Sequence, residues 1–194
     1  MLNVVIFGPP GSGKGTQSEL ISQKYALHHI STGEILRKEI EEQTERGVMV
    51  HEHISKGHLI PDGIIIDMLE SLLDEHRNQN GFIFDGFPRT LMQAEALDRL
   101  LKDRDASIAV ILDLDVQNEV LIERLLKRGK IFGRSDDNPE TIFHRLSVYQ
   151  QQTEPLKKYY KKQGKLFTLK GIDTIEEVFD KITVILDKIV LELR

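Results

Sequence analysis

The apolar run Leu2 to Phe7 enters the segment Gly8-Pro9-Pro10-Gly11-Ser12-Gly13-Lys14-Gly15-Thr16 directly, and this order constrains the fold more than any other feature of the chain. A strand has to end, the backbone has to turn on residues with small side chains or none, and a helix has to begin near Lys14. The spacing G-x-x-x-x-G-K describes a phosphate-binding loop. Its glycines let backbone N–H groups converge on phosphate oxygens, and Lys14 adds a mobile cation. A helix that starts there points the positive end of its dipole at the same anion. A plain Gly/Pro turn is the alternative, and the strand-to-helix context argues against it. One position departs from the common form: Gly15 follows the lysine, and the hydroxyl arrives one residue later at Thr16. The loop's usual magnesium-binding hydroxyl is thus out of place.

Short apolar runs recur at Gly81 to Phe84, Ile108 to Leu114 and Leu166 to Leu169, with Leu27 to Ile30 as a fifth candidate, and longer helical stretches lie between them. Such alternation predicts an α/β fold, a parallel five-stranded sheet with crossover helices in a three-layer α/β/α sandwich. The last helical stretch aligns Ile175, Val178, Phe179, Ile182, Ile185, Leu186, Ile189, Val190 and Leu193 on one face, which reads as core packing. Two segments interrupt the pattern: Ser31 to Ile60, which is polar, and Lys127 to Asp137. Both are expected to be small lobes set against a single core of residues 1–194.

The 194 residues, 40% of them hydrophobic, suffice for one core. A net charge of -5 argues against a general binder of nucleic acid or membrane surfaces, and no run approaches transmembrane length. With no cysteine, disulfides and thiolate metal sites are excluded, and a reducing cytoplasm is compatible.

Asp85 closes the apolar run Gly81-Phe82-Ile83-Phe84, and Gly86-Phe87-Pro88-Arg89 follows at once. Strand C-termini of a parallel sheet face the ligand crevice, so Asp85 is placed to hold magnesium through water and Arg89 to clamp a phosphate. Arg124, Arg128, Arg134 and Arg145 gather positive charge in a chain that is acidic overall. Screening of that kind suits transfer between two polyanions, where catalysis is positioning and charge neutralisation. A solvated helix face is the simpler account for Lys127 and Lys130, and Arg134 beside Asp136 and Asp137 also suggests a local ion pair. Ser31-Thr32-Gly33-Glu34 reads as a helix start with Ser31 or Thr32 as N-cap, Glu34 completing a capping box if Ser31 is the cap, and Arg37 one turn on adding an anion site. The seven histidines show no metal-ligand spacing, and His28-His29, His51 and His53 read as strand-edge or exposed residues.

Over essentially its whole length the chain resembles the adenylate kinases. The matching motifs, in order, are Gly8 to Gln17, Ser31-Thr32-Gly33, Leu59-Ile60-Pro61-Asp62, Asp85 to Thr90 and Gly133-Arg134-Ser135-Asp136-Asp137-Asn138. The lysine-glycine-threonine ending of the loop is this family's own variant. The resemblance implies reversible transfer of the ATP γ-phosphoryl group to AMP, giving two ADP, with magnesium. It places the ATP phosphates on Gly11, Ser12, Gly13, Lys14, Gly15 and Thr16, with Lys14 following the transferred group. Arg124 would lie on the ATP adenine, and the backbone near Asp173 would close that pocket. Arg37 and Arg89 would hold the AMP phosphate, while Thr32, Gln93, the backbone of His58, Leu59 and Ile60, and Gly86, Phe87 and Pro88 would surround AMP. Arg128, Arg134 and Arg145 would close on the phosphates, and Asp85 would organise magnesium through water.

The related uridylate-cytidylate kinases carry alanine in the Ser31-Thr32-Gly33 motif and asparagine shortly after the second arginine motif, so Thr32 and Gln93 favour AMP over UMP and CMP. Glu34 stands where aspartate is usual, and the lid of residues 127–137 is the short kind, which without cysteines binds no zinc. Residues 31–60 would close over AMP and the lid over ATP, expelling water before transfer. Nucleotides are then the only expected partners of a cytoplasmic monomer. A pyrimidine or broad-specificity kinase is the nearest rival. A GTPase-type switch is more distant, since no Asn-Lys-x-Asp motif occurs.

Overall fold

The computed structural model describes residues 1–193; Arg194, the last residue of the expected core, lies outside the described residues. All of the predicted strands form, each displaced by at most a few residues: β1 (Val4–Phe7), β2 (His28–Ser31), β3 (Phe82–Asp85), β4 (Val110–Asp115) and β5 (Leu166–Lys170). They make one five-stranded sheet in the order β2-β3-β1-β4-β5. Every pairing is parallel, with Ile6 beside Asp85 on one side and Leu112 on the other. The direction of winding reverses at β1, so the crevice at its C-terminal end is where a sheet of this topology binds ligands.

Helices cover both faces. Alternate residues of β1 point to opposite sides: Val5 and Phe7 join one apolar cluster, Val4 and Ile6 the other. The first cluster is closed by α4 (Asp62–Glu75), α5 (Leu91–Lys102) and α8 (Leu156–Lys162) through Met68, Leu69, Leu97, Leu101 and Tyr160. The second is closed by α1 (Lys14–Tyr25) and α9 (Ile175–Glu192) through Ile21, Val178, Ile182 and Leu186. Each fully buried leucine or isoleucine here contributes about 1.5–3 kcal/mol. The apolar stripe of α9 is shorter than its sequence suggests, because Ile175 and Leu193 are exposed. An 18-residue helix runs about 27 Å and outreaches strands of four to six residues.

The two interruptions have distinct forms. Residues 31–60 hold α2 (Thr32–Glu41) and α3 (Glu45–Ser55), a helix pair whose backbones come so close that a Cβ on Gly47 would lie 2.1 Å from the Glu39 carbonyl oxygen. Residues 127–137 begin inside α6 (Asn118–Phe132), turn at Gly133 and lead into α7 (Pro139–Val148) and a π-helical turn, Tyr149–Thr153. Val116, Leu121, Leu125, Ile142 and Leu146 join α6 and α7 in a third apolar cluster. Thr44, Thr90, Asn138 and Thr174 cap α3, α5, α7 and α9 with their side chains.

The expected capping box at Ser31 and Glu34 does not form: Ser31 is the N-cap of α2 but makes no side-chain cap bond. Ser31 is also the last residue of β2, so the strand and not the helix sets its side-chain direction. No helix among the described residues is long and apolar enough to cross a membrane.

Candidate active site

A cleft of about 750 Å³ opens at the C-terminal end of the sheet and receives most of the residues singled out above. Three sets of elements build its walls.

The loop between β1 and α1 forms the first. Gly13 is the N-cap of α1, and the first turn of that helix carries no acidic side chain, so its bare N–H groups and dipole face the cleft. Lys14 folds back on its own loop, donating to the carbonyl oxygens of Gly8 at 2.7 Å and Pro9 at 2.9 Å. Cleft walls strip water from the ammonium and push its pKa down to about 8; Asp85 opposes this shift, while Arg89, Arg145 and Arg128 add to it. Ser12 lies beneath the loop with a buried, unpartnered hydroxyl. A Cβ added at Gly15 would meet Asp85 Oδ2 at 3.6 Å, so the glycine leaves the face of that carboxylate uncovered.

The second wall comes from α2, the 57–60 loop and the segment after β3. Thr32 Oγ1 donates to the Gly86 carbonyl oxygen at 3.1 Å, and Arg89 Nε donates to the same oxygen at 2.7 Å. Gly86 must be glycine here, since its φ is +80° and a Cβ would fall 2.8 Å from Thr32 Oγ1 and 3.1 Å from Arg89 Nη2. Arg37 curls back over its own helix start, where a Cβ on Gly33 would lie 3.3 Å from Nη1 and Nη2. Gln93, in the first turn of α5, is buried beside them. His58, Leu59, Ile60, Phe87 and Pro88 complete this side.

The third wall belongs to α6, α7 and the turn between them. Asp137 is fully covered and accepts a bidentate pair from Arg128, at 2.6 and 2.9 Å, and a further bond from Arg145 at 2.7 Å. Arg145 also reaches Asp136 Oδ2 at 2.9 Å. Burial works against the charge on Asp137, yet Arg128 and Arg145 overcome it and hold its carboxyl below the usual carboxylate range. The expected pairing of Arg134 with Asp136 and Asp137 is therefore corrected: Arg128 and Arg145 take both carboxylates. The turn ties the Asp137 N–H to the Arg134 carbonyl oxygen at 3.2 Å, while the flanking helices deliver their arginines to the acids. Arg124 donates to the Gly171 carbonyl oxygen at 3.0 Å.

Arg37, Arg89 and Arg134 have no carboxylate partner among the described residues. Crowding by protein lowers the pKa of each below the usual guanidinium value, and neighbouring arginines add to the effect. Arg89 keeps solvent on one side along the cleft, so an anion can reach it. These charges stay on, and their lowered pKa measures an unmet demand for negative charge.

Asp173 does not line the cleft; its carboxylate pairs with Lys181 at 2.5 Å. Several lining or supporting residues carried no sequence signal of their own. His29 places a buried, unpartnered Nε2 4.0 Å from Asp85 Oδ2. Tyr149 and Thr153 enter from the π-helical turn. Asp62 binds Gln93 and Thr90 from behind. Only Asp62 fell within a motif, and nothing in that motif indicates its partners.

A glycine-rich loop between a central parallel strand and a helix, facing a second cationic wall across one cleft, defines a P-loop protein that handles two anionic groups together. The chain belongs to the adenylate kinase family, whose profile matches residues 6–165. It is similar to the adenylate kinase of Azobacteroides pseudotrichonymphae, 56% identical over 189 residues, with 97% of this chain and 99% of the relative covered. The adenylate kinase of Bacteroides fragilis is 56% identical over 182 residues, covering 94% and 96% of the two chains. That of Porphyromonas gingivalis is 52% identical over 188 residues, covering 97% of each.

Proposed function

We propose that this cleft transfers the γ-phosphoryl group of ATP to AMP, reversibly, producing two ADP. The observation that carries this reading is the meeting of two separate anion-seeking walls in one cavity: the loop with Lys14, and the acceptor side with Arg37 and Arg89.

In the forward direction an oxygen of the AMP phosphate attacks the γ-phosphorus. The bond from that phosphorus to the β,γ-bridging oxygen breaks, and its electron pair leaves with the ADP so formed. Gly11 to Thr16 wrap the donor phosphates, and Lys14 leaves the Gly8 and Pro9 carbonyl oxygens to follow the moving group. Arg37 and Arg89 hold the acceptor phosphate in line, which converts binding into orientation. Arg128, Arg134 and Arg145 approach as residues 127–137 close, and residues 31–60 close from the other side; together they exclude water from the transfer. Thr32 and Gln93 contact the acceptor base, and Arg124 the donor base.

Magnesium fits as an ion carried by the phosphates. Among the described residues no group of three or more His, Cys, Asp or Glu is arranged to hold a metal. Asp85 is buried, its carboxylate accepts no hydrogen bond from the described residues, and it faces the loop across Gly15, as a carboxylate acting through metal-bound water requires. When bound, the ion would neutralise charge on the phosphates during transfer. The proposal includes a cytoplasmic monomer that works without zinc.

The test is turnover of ATP with AMP, UMP, CMP or GMP as acceptor, read as ADP formed. AMP is expected to give the highest kcat/KM; faster turnover of UMP would overturn the assignment of the acceptor.

A further inference from the structure

Gln93 is 2% exposed, lines the cleft, and has both ends of its amide held from behind. Its Oε1 accepts from the Arg89 backbone N–H at 2.7 Å, and its Nε2 donates to Asp62 Oδ1 at 2.7 Å. The other Asp62 oxygen accepts from Thr90 Oγ1 at 3.0 Å, and Thr90 Oγ1 accepts from the Gln93 backbone N–H at 3.2 Å. The chemistry of these partners permits one orientation of the amide. A peptide N–H only donates, and a carboxylate only accepts. Turning the amide over would set NH₂ against N–H and Oε1 against the carboxylate.

We propose that Asp62 is a positioning residue that locks the Gln93 amide so that the cleft accepts a 6-aminopurine monophosphate and rejects a 6-oxopurine one. The proposal rests on the reading of Gln93 as a contact to the acceptor base. A primary amide offers two N–H donors and two acceptor lone pairs. The network engages one of each, and the donor and acceptor that remain are the ones available to a base in the cleft that Gln93 lines. A 6-aminopurine presents the complement, with N1 as acceptor next to the amino group at C6 as donor. A 6-oxopurine reverses the order, N1–H beside O6, and meets the locked amide donor to donor and acceptor to acceptor. An amide free to turn would serve either base. Asp62 does not itself line the cleft, so it acts through Gln93. It sits in the first turn of α4 and Gln93 in the first turn of α5, so the simpler role to be tested against is a tie between two helices.

The experiment compares kcat/KM for AMP and for inosine 5′-monophosphate, alongside melting temperature, in the wild type, Asp62→Asn, Asp62→Ala and Gln93→Leu. Asp62→Asn keeps the shape but removes the carboxylate half of the lock, since its own amide can face either end of the Gln93 amide; only the Arg89 N–H then opposes the turn. The AMP-to-IMP ratio is expected to fall about ten- to a hundredfold in Asp62→Asn and Asp62→Ala, chiefly because IMP turnover rises. A purely structural tie would lower the melting temperature or slow both substrates equally, and a wild-type ratio in either folded Asp62 variant overturns the lock. Should Asp62→Ala not fold, the ratio in Asp62→Asn decides. Gln93→Leu separates the two levels of the argument. A ratio unmoved by Gln93→Leu overturns the reading of Gln93 as the base contact, and the lock with it. A ratio that collapses in Gln93→Leu but not in the Asp62 variants sinks the lock alone.

Discussion

The cations of the cleft fall into two groups, those the protein pairs with its own carboxylates and those it leaves without one. Arg128 and Arg145 are committed within the protein: both close on the buried Asp137, and Arg145 on Asp136 as well. Lys14, Arg37, Arg89 and Arg134 have no carboxylate partner among the described residues. Lys14 and Arg89 satisfy their hydrogen bonds on backbone carbonyl oxygens of Gly8, Pro9 and Gly86, which accept protons but carry no net charge. The committed pair joins α6 to α7 and sets the shape of the third wall. The uncommitted set leaves an electrostatic debt that a phosphate can settle.

The largest effect should come from the uncommitted set and should appear in turnover, not in stability. Lys14→Met and Arg89→Ala are each expected to lower phosphoryl transfer by roughly 10³-fold or more, with the melting temperature kept. Lys14 adds a second readout. Its pKa of about 8 in the free protein is the result of lost solvation, and a polyphosphate in the loop would raise it again. Wild-type protein should therefore take up protons on binding ATP at a pH just above 8, seen as a dependence of the calorimetric heat on buffer ionisation enthalpy. Lys14→Met should take up none. The same shift means that above pH 8 the unfolded chain holds this proton more firmly than the folded one, so the cost of burying this charge, complete below the folded pKa, is relieved as pH rises from about 8 toward the ordinary lysine value. Near-normal turnover in either variant would erase the distinction between the two groups.

Asp137→Asn probes the committed pair, and here stability should carry the effect. Removing the central carboxylate leaves Arg128 and Arg145 facing each other half-buried, at an expected cost of about 2–3 kcal/mol. Because the folded pKa of Asp137 is depressed, its contribution is complete above the ordinary carboxylate pKa and is lost as pH falls through the folded value. Wild-type protein should thus lose stability in acid more steeply than Asp137→Asn, and the two denaturant midpoints should converge at low pH. Parallel curves would mean that Asp137 contributes nothing through its charge.

This division also decides how much could be read from the sequence. The loop is contiguous, and each residue type has one local task, so its position, the helix start at Lys14 and the flanking strand were all legible. The sheet was legible for the same reason, since buried parallel strands write themselves as short apolar runs. Arg89 stands in a motif, Arg37 follows a helix start by one turn, and Gln93 is assigned only by position through the family resemblance. What could not be read was which group each would bind inside the protein. Arg134 looked paired because Asp136 and Asp137 are its neighbours in sequence, whereas the acids are claimed by Arg128 and Arg145, nine and eight residues from Asp137. Asp62 and Gln93 meet across 31 residues, His29 and Asp85 across two strands, and no local pattern encodes either meeting.

The smallest expected effect applies the same contrast to uncharged groups. Two helix starts share the pattern of a hydroxyl residue three places before a glutamate: Ser31 with Glu34, and Thr174 with Glu177. At Thr174 the box is complete, with its hydroxyl accepting from the Glu177 N–H at 3.2 Å and the Glu177 carboxylate accepting from the Thr174 N–H at 3.0 Å. At Ser31 the hydroxyl makes no cap bond, and Glu34 is exposed. Thr174→Ala should cost about 1 kcal/mol with catalysis unchanged, while Ser31→Ala should stay within about 0.5 kcal/mol. Denaturant unfolding of the two variants side by side checks this. An equal loss at both would mean that Ser31 is engaged after all, and that the acceptor wall holds its first helix by a bond of the same kind as the one that starts α9.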